Sequence, residues 1–171
     1  LRGAAKDASY TTTDASKLKG LTDEQLKAAE EAAKERKVTG YVLPLQNTTQ
    51  QPILSSLDDR STREQVFEDS WTRAERGDKN DTRETISKLA KLRAEKAALL
   101  GFPNYASWAL EDQMAKNPEA AIKFMDALVP ASTAKAREEG ADIQKLIDSQ
   151  GGGFKLQPWD WDFYSEQVRK A

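Results

Sequence analysis

Apolar residues recur at helical spacing along most of the chain, and their densest run lies between Asn80 and Pro118. There Ile86, Leu89, Ala90, Ala94, Ala97 and Leu100 fall on one helical face. Asp81, with Glu84 three residues later, reads as the cap and capping-box partner that start this helix. Gly101 is the expected stop, since a glycine past the last turn adopts the left-handed conformation cheaply. Pro103 forbids continuation, and Asn104 can cap a second helix with Tyr105, Trp108 and Ala109 on one face. Asn117-Pro118 opens a third, cap first and proline second. This hinge of helices is expected to form the core.

The flanking segments extend the helical pattern. Thr22 and Gln25 make a capping box before an alanine-rich helix over about 22–37, with Lys34, Arg36 and Lys37 in its last turn and Gly40 as its end. Tyr41-Val42-Leu43-Pro44-Leu45 reads as a strand, and Pro44 makes it an edge strand. Its partner is expected at Ala8 to Thr13, giving a small β-α-β element over about 8–46 and a helical bundle over about 50–171. Asn47 to Pro52 is a polar turn. Ile53, Leu54 and Leu57 suggest a short helix. Ser61 and Glu64 predict a capping box for a helix over about 62–76, with Val66, Phe67, Ser70, Trp71 and Ala74 on one face and Gly77 behind it. From Pro118 to about Ser149 the pattern stays helical, with a kink or break expected just before Pro130. Gly151, Gly152 and Gly153 read as a flexible loop, and Pro158 leads into a last helix carrying Phe163, Tyr164 and Val168. No repeat of fixed period is present. The fold class is therefore mainly α: an irregular helical bundle with one short two-stranded β element, a single helical region over 1–171.

Composition narrows the function classes. The 171 residues are 38% hydrophobic and 32% charged, with a net charge of −2 and both signs interleaved. No basic stripe could neutralise phosphates, which argues against nucleic acid. No apolar run approaches the roughly 20 residues that cross a bilayer. Cysteine is absent, which excludes disulfides and thiolate chemistry and favours a cytoplasmic setting. Histidine is absent too, removing the commonest general base and zinc ligand. The chain begins Leu1-Arg2-Gly3 and ends inside a helical pattern, so it is expected to be a piece of a longer protein.

Candidate chemistry competes with plainer readings at each position. Asn47-Thr48-Thr49 and Asn80-Asp81-Thr82 match the glycosylation sequon, but a turn and a helix cap explain both. Gln46 to Gln51 could contact a substrate or simply satisfy backbone groups at a strand–helix junction. Trp159-Asp160-Trp161-Asp162-Phe163-Tyr164 could form a stacking platform or half of a carboxylate pair. The plainer reading has one aspartate capping the helix and the rings anchoring it. Arg93 could bind a carboxylate or make a structural ion pair. Gly151 to Gly153 lack the context of a phosphate loop. Carboxylates do not cluster at metal-binding spacing. On residue chemistry alone there is no catalytic residue and no metal ligand here.

Four stretches carry a resemblance: YVLPLQNTTQQPIL (41–54), WTRAERGDKNDTR (71–83), LRAEKAALLGFPNYASWALEDQMAKNPEAA (92–121) and GGFKLQPWDWDFYSEQVRKA (152–171). They resemble the N-terminal helical portion of bacterial peptidyl-dipeptidases, in the thimet oligopeptidase family of zinc metallopeptidases. The resemblance implies a large helical enzyme with a deep channel that admits unstructured peptides. It implies zinc held by the two histidines of an H-E-x-x-H helix and a later glutamate, and release of dipeptides from free C-termini. None of those residues maps onto this chain. It implies instead that this piece scaffolds the catalytic half of the same polypeptide, forms one wall of the channel, and holds no zinc itself. Surfaces covered in the parent are expected to be exposed apolar patches prone to self-association. The rival reading is a stand-alone helical module that binds peptide or protein without hydrolysis. An H-E-x-x-H motif further along the reading frame would separate the two.

Overall fold

The computed structural model describes residues 7–45 and 51–170. Among these it is mainly helical, with a two-stranded antiparallel sheet near the N-terminus. The elements are β1 (Ser9–Thr12), α1 (Asp23–Glu35), β2 (Tyr41–Pro44), α2 (Arg60–Trp71), α3 (Arg83–Leu99), α4 (Tyr105–Leu110), α5 (Pro118–Ser149) and α6 (Pro158–Lys170). Short 3-10 turns occupy Ala15–Leu18 and Pro52–Ser55, the latter where a short helix was expected. The chain divides into two compact units, one of residues 1–81 with 140–171 and one of residues 82–139.

The first unit holds the core. Strand β1 pairs with β2 in the register Ser9↔Pro44, Tyr10↔Leu43, Thr11↔Val42 and Thr12↔Tyr41. Neighbouring Val42 and Leu43 point to opposite faces of the strand, and both are buried. The capping box of Thr22 and Gln25 forms as the sequence predicts, and α1 buries Ala29 and Ala33. Leu18, Leu43, Leu45, Leu54, Leu57 and Val66 complete the main cluster. Fully burying one such aliphatic side chain contributes about 1.5–3 kcal/mol, so these few leucines dominate the stability of the unit. A second cluster joins Ile143 and Ile147 of α5 to Tyr164 of α6.

Several local expectations are corrected. Gly40 does not end α1: Lys37 takes the left-handed position (φ 57°), and Val38 N–H reaches back to the Ala33 carbonyl. Gly40 (φ 97°) instead turns the chain into β2, where a Cβ would collide with the Thr12 carbonyl. The box of Ser61 and Glu64 does not form. Asp59 caps α2 by accepting from Thr62 N–H at 2.8 Å, which starts the helix earlier, and the helix stops at Trp71. Thr82 rather than Asp81 holds the cap position of α3, because the Asp81 carboxylate accepts from Gly77 N–H at 2.7 Å. Asn104 and Asn117 do cap, accepting from Ser107 and Ala120 N–H. Helix α5 continues through Pro130, so the break that was one of the two outcomes expected there does not occur. The carbonyl of Asp126, which loses its donor there, lies at an exposed residue where water can replace it. Gly151 to Gly153 end α5: Gly151 (φ 73°) is left-handed, and Gly152 N–H bonds the Ile147 carbonyl at 3.0 Å.

The largest correction concerns the hinge of helices. In the second unit α3 buries Ala97 alone and α4 buries nothing. Ile86, Leu89, Leu92, Leu99 and Leu100 are exposed, as are Ile122, Phe124, Met125, Leu128 and Val129 of α5. Periodicity selects a helical face, but it does not supply the surface that covers it.

Candidate functional site

The most constrained chemistry of the first unit is where α2 meets the start of α6. Pro158 opens α6 with its φ already helical, and Asp160 reaches back to accept from Gln157 N–H at 3.2 Å. An aspartate in the first turn also complements the helix dipole. Its side chain is completely buried, and two arginines of α2 converge on it. Arg60 Nη2 donates to Asp160 Oδ2 at 2.9 Å and Arg63 Nη2 to Oδ1 at 3.1 Å. Arg63 is only 1% exposed and also donates to the Leu57 and Asp58 carbonyls.

Each guanidinium lies on a ring supplied by α6 or the segment before it. Arg60 sits 4.2 Å from the Phe154 centroid and 5.6 Å from that of Trp159. Arg63 sits 4.1 Å from the Phe163 centroid. A planar guanidinium can satisfy a carboxylate edge-on while its face stacks on an aromatic ring. Both Asp160 oxygens are occupied by these donors, so this carboxylate organises structure.

Two residues along, Asp162 meets a different environment. It lines a cleft of about 570 Å³ with Gln51, Phe67, Trp71, Gln157 and Trp161. Phe67 and Trp71 stack with centroids 5.7 Å apart, and Trp159 packs against Phe67 with tilted rings at 6.2 Å. Trp71 is 73% exposed. Gln51 is buried and donates through Nε2 to Ser70 Oγ at 2.8 Å, which fixes the rear of the cleft. Burial pushes the Asp162 carboxyl above its usual range, with no cation among the described residues offsetting it. Asp162 is the one acid among the lining residues, so the carboxylate pair considered for the hexapeptide is not assembled.

The other candidates fall elsewhere. Arg93 faces a ring rather than a carboxylate, 5.0 Å from the Tyr105 centroid. The Asn80 side chain donates to Asp7 at 3.2 Å in a turn. The sequon at Asn47 and the stretch Gln46 to Gln50 lie outside the described residues. There is no histidine or cysteine, and among the described residues no three acidic side chains gather at metal-binding distance. The sequence reading missed Arg60 and Arg63. Their signal was their register: Arg63 lies three residues before Val66, on the inward face of α2.

Residues 53–171 match Peptidase family M3. The chain is 50% identical to dipeptidyl carboxypeptidase of Escherichia coli K12, over 99% of this chain and 25% of that protein. The Salmonella typhimurium dipeptidyl carboxypeptidase is 48% identical over the same shares. Oligopeptidase A of Escherichia coli is 31% identical over 92% of this chain and 24% of its own length. The chain thus spans about a quarter of the length of these relatives. A family match over most of the chain, with half the residues shared with one relative along nearly the whole of this chain, places it: this chain belongs to peptidase family M3.

Proposed function

We propose that this chain is the non-catalytic helical part of a cytoplasmic zinc peptidyl-dipeptidase, scaffolding the catalytic half of the same polypeptide and forming a wall of its substrate channel. The observation that carries this reading is the alignment of 99% of the chain with only 25% of a dipeptidyl carboxypeptidase at 50% identity. A histidine-free sequence cannot contribute the histidine ligands of the family's zinc, so the metal chemistry, polarising the scissile carbonyl and activating water, belongs to the rest of the polypeptide. The exposed apolar side chains of residues 82–139 support a scaffold role, since an apolar face rimmed by charge marks a surface that packs against something else.

The test sets this 171-residue chain beside the protein from the whole reading frame, measuring bound zinc and peptide cleavage on both. The expected result is zinc binding and C-terminal dipeptide release by the long form and neither by the short one. Cleavage by the short chain, or a long form without zinc or peptidase activity, would overturn the proposal.

A further inference from the structure

We infer that the cleft lined by Phe67, Trp71, Trp161 and Asp162 is a binding site for a guanidinium group, the side chain of an arginine presented by a peptide. The inference stands on the cleft itself and does not depend on the function proposed above.

The protein contains its own precedent for this recognition. Asp160 and Asp162 are two residues apart on α6, each beside aromatic rings. At Asp160 two guanidiniums fill the arrangement, edge-on to the carboxylate and face-on to Phe154 and Phe163. At Asp162 the rings and the carboxylate are present, and among the described residues no side chain or backbone donor reaches the carboxylate. Burial disfavours its charged form and raises its pKa, a penalty that a cation bound beside it would offset.

The remaining lining residues suit the same ligand. Stacked Phe67 and Trp71 offer a broad ring face, and Trp71 is mostly open to solvent, so an incoming planar cation can lie on it. Trp161 is held in place against Gly140, where a Cβ would stand 3.4 Å from its ring. Gln157 also lines the cleft, and an amide oxygen accepts a guanidinium N–H left over after the carboxylate is satisfied. The apolar walls match the three-methylene stem. A lysine would use the carboxylate but waste the ring face, since its ammonium is a compact and strongly hydrated charge.

The experiment is calorimetric titration of the protein from the whole reading frame with N-acetyl-arginine amide, with N-acetyl-citrulline amide as the neutral isostere. Asp162→Asn and Trp71→Ala are the variants, and circular dichroism checks that both are folded. The expected result is saturable arginine binding, weakened about tenfold or more by citrulline and by D162N, and about threefold to tenfold by W71A. Because any arginine subsite elsewhere in the long protein is untouched by these substitutions, the difference between wild type and D162N isolates the cleft. Equal binding by wild type and folded D162N, equal binding of arginine and citrulline, or no saturable binding by wild type would each overturn the inference. Dipeptide release is not the readout, so failure here leaves the proposed function to be judged by its own test.

Discussion

At the scale of single residues, two aspartates on one helix have opposite circumstances. Asp160 is buried with its charge matched, and Arg63 depends on it. Removing one partner of a buried pair leaves the other charge uncompensated, so Asp160→Ala is expected to cost about 3–5 kcal/mol. Urea unfolding followed by circular dichroism measures this, and a cost under about 1 kcal/mol would show that Arg63 finds another partner. Asp162 carries its charge at a cost. Because its folded pKa is raised above the unfolded value near 3.8, stability is lost as the pH rises from there through the folded value, and the cost is present in full above it. Asp162→Asn is therefore expected to be neutral or stabilising near pH 7 and without effect in acid, where both side chains are uncharged. A D162N variant less stable than wild type at neutral pH would contradict this sign.

Asp59 is the reverse case. Burial pushes its pKa up, but donors from Ser61, from the Thr62 side chain and backbone, and from Lys17 outweigh burial and hold it well below the usual carboxylate range. Its contribution to stability is present above the unfolded-state pKa near 3.8 and is lost as the pH falls from there through the folded value. Asp59→Ala should lose about 1 kcal/mol of helix-cap stabilisation at pH 7. It should also flatten the stability profile below about pH 4, which thermal melts across an acid series would reveal.

Among elements, the strongest local constraints are backbone conformations imposed by neighbours. Gly40 has φ near 97° and lies against the Thr12 carbonyl, so Gly40→Ala combines an unfavourable φ with a collision. It should destabilise the first unit by about 1–3 kcal/mol, read as a lower midpoint in urea. In α5, Pro130 removes one intrahelical hydrogen bond in a helix of 32 residues. Pro130→Ala is expected to strengthen that helix by up to about 3 kcal/mol. Slower amide hydrogen exchange at residues flanking position 130 would register the gain, and unchanged exchange would mean that the proline costs the helix nothing.

The whole molecule is unevenly finished. The first unit buries its leucines around a small sheet, whereas residues 82–139 leave eleven large apolar side chains exposed. Sedimentation of the 171-residue chain is expected to show self-association that rises with concentration. Leu92→Lys with Leu128→Lys should weaken it, while a monomer at all concentrations would argue against a scaffold surface.

The sequence by itself determined whatever depends on a few consecutive residues. Helix starts at Thr22, Asn104 and Asn117, the stop at Gly101, the pairing of residues 9–12 with 41–44 and the mainly helical class were all legible. Caps, turns and periodicity act over one or two helical turns. The motif stretches also carried the family, because identity at half the positions survives without knowing the fold. The tertiary structure alone decided where the core lies, since burial is a property of two surfaces and periodicity describes only one. It also decided which of two near-identical aspartates is paired. Arg60 and Arg63 lie about 100 residues from Asp160, and no local pattern signals a partner at that separation. Asp162, two residues along, lines the cleft with Phe67, Trp71 and Trp161 instead, and among the described residues no cation meets its charge.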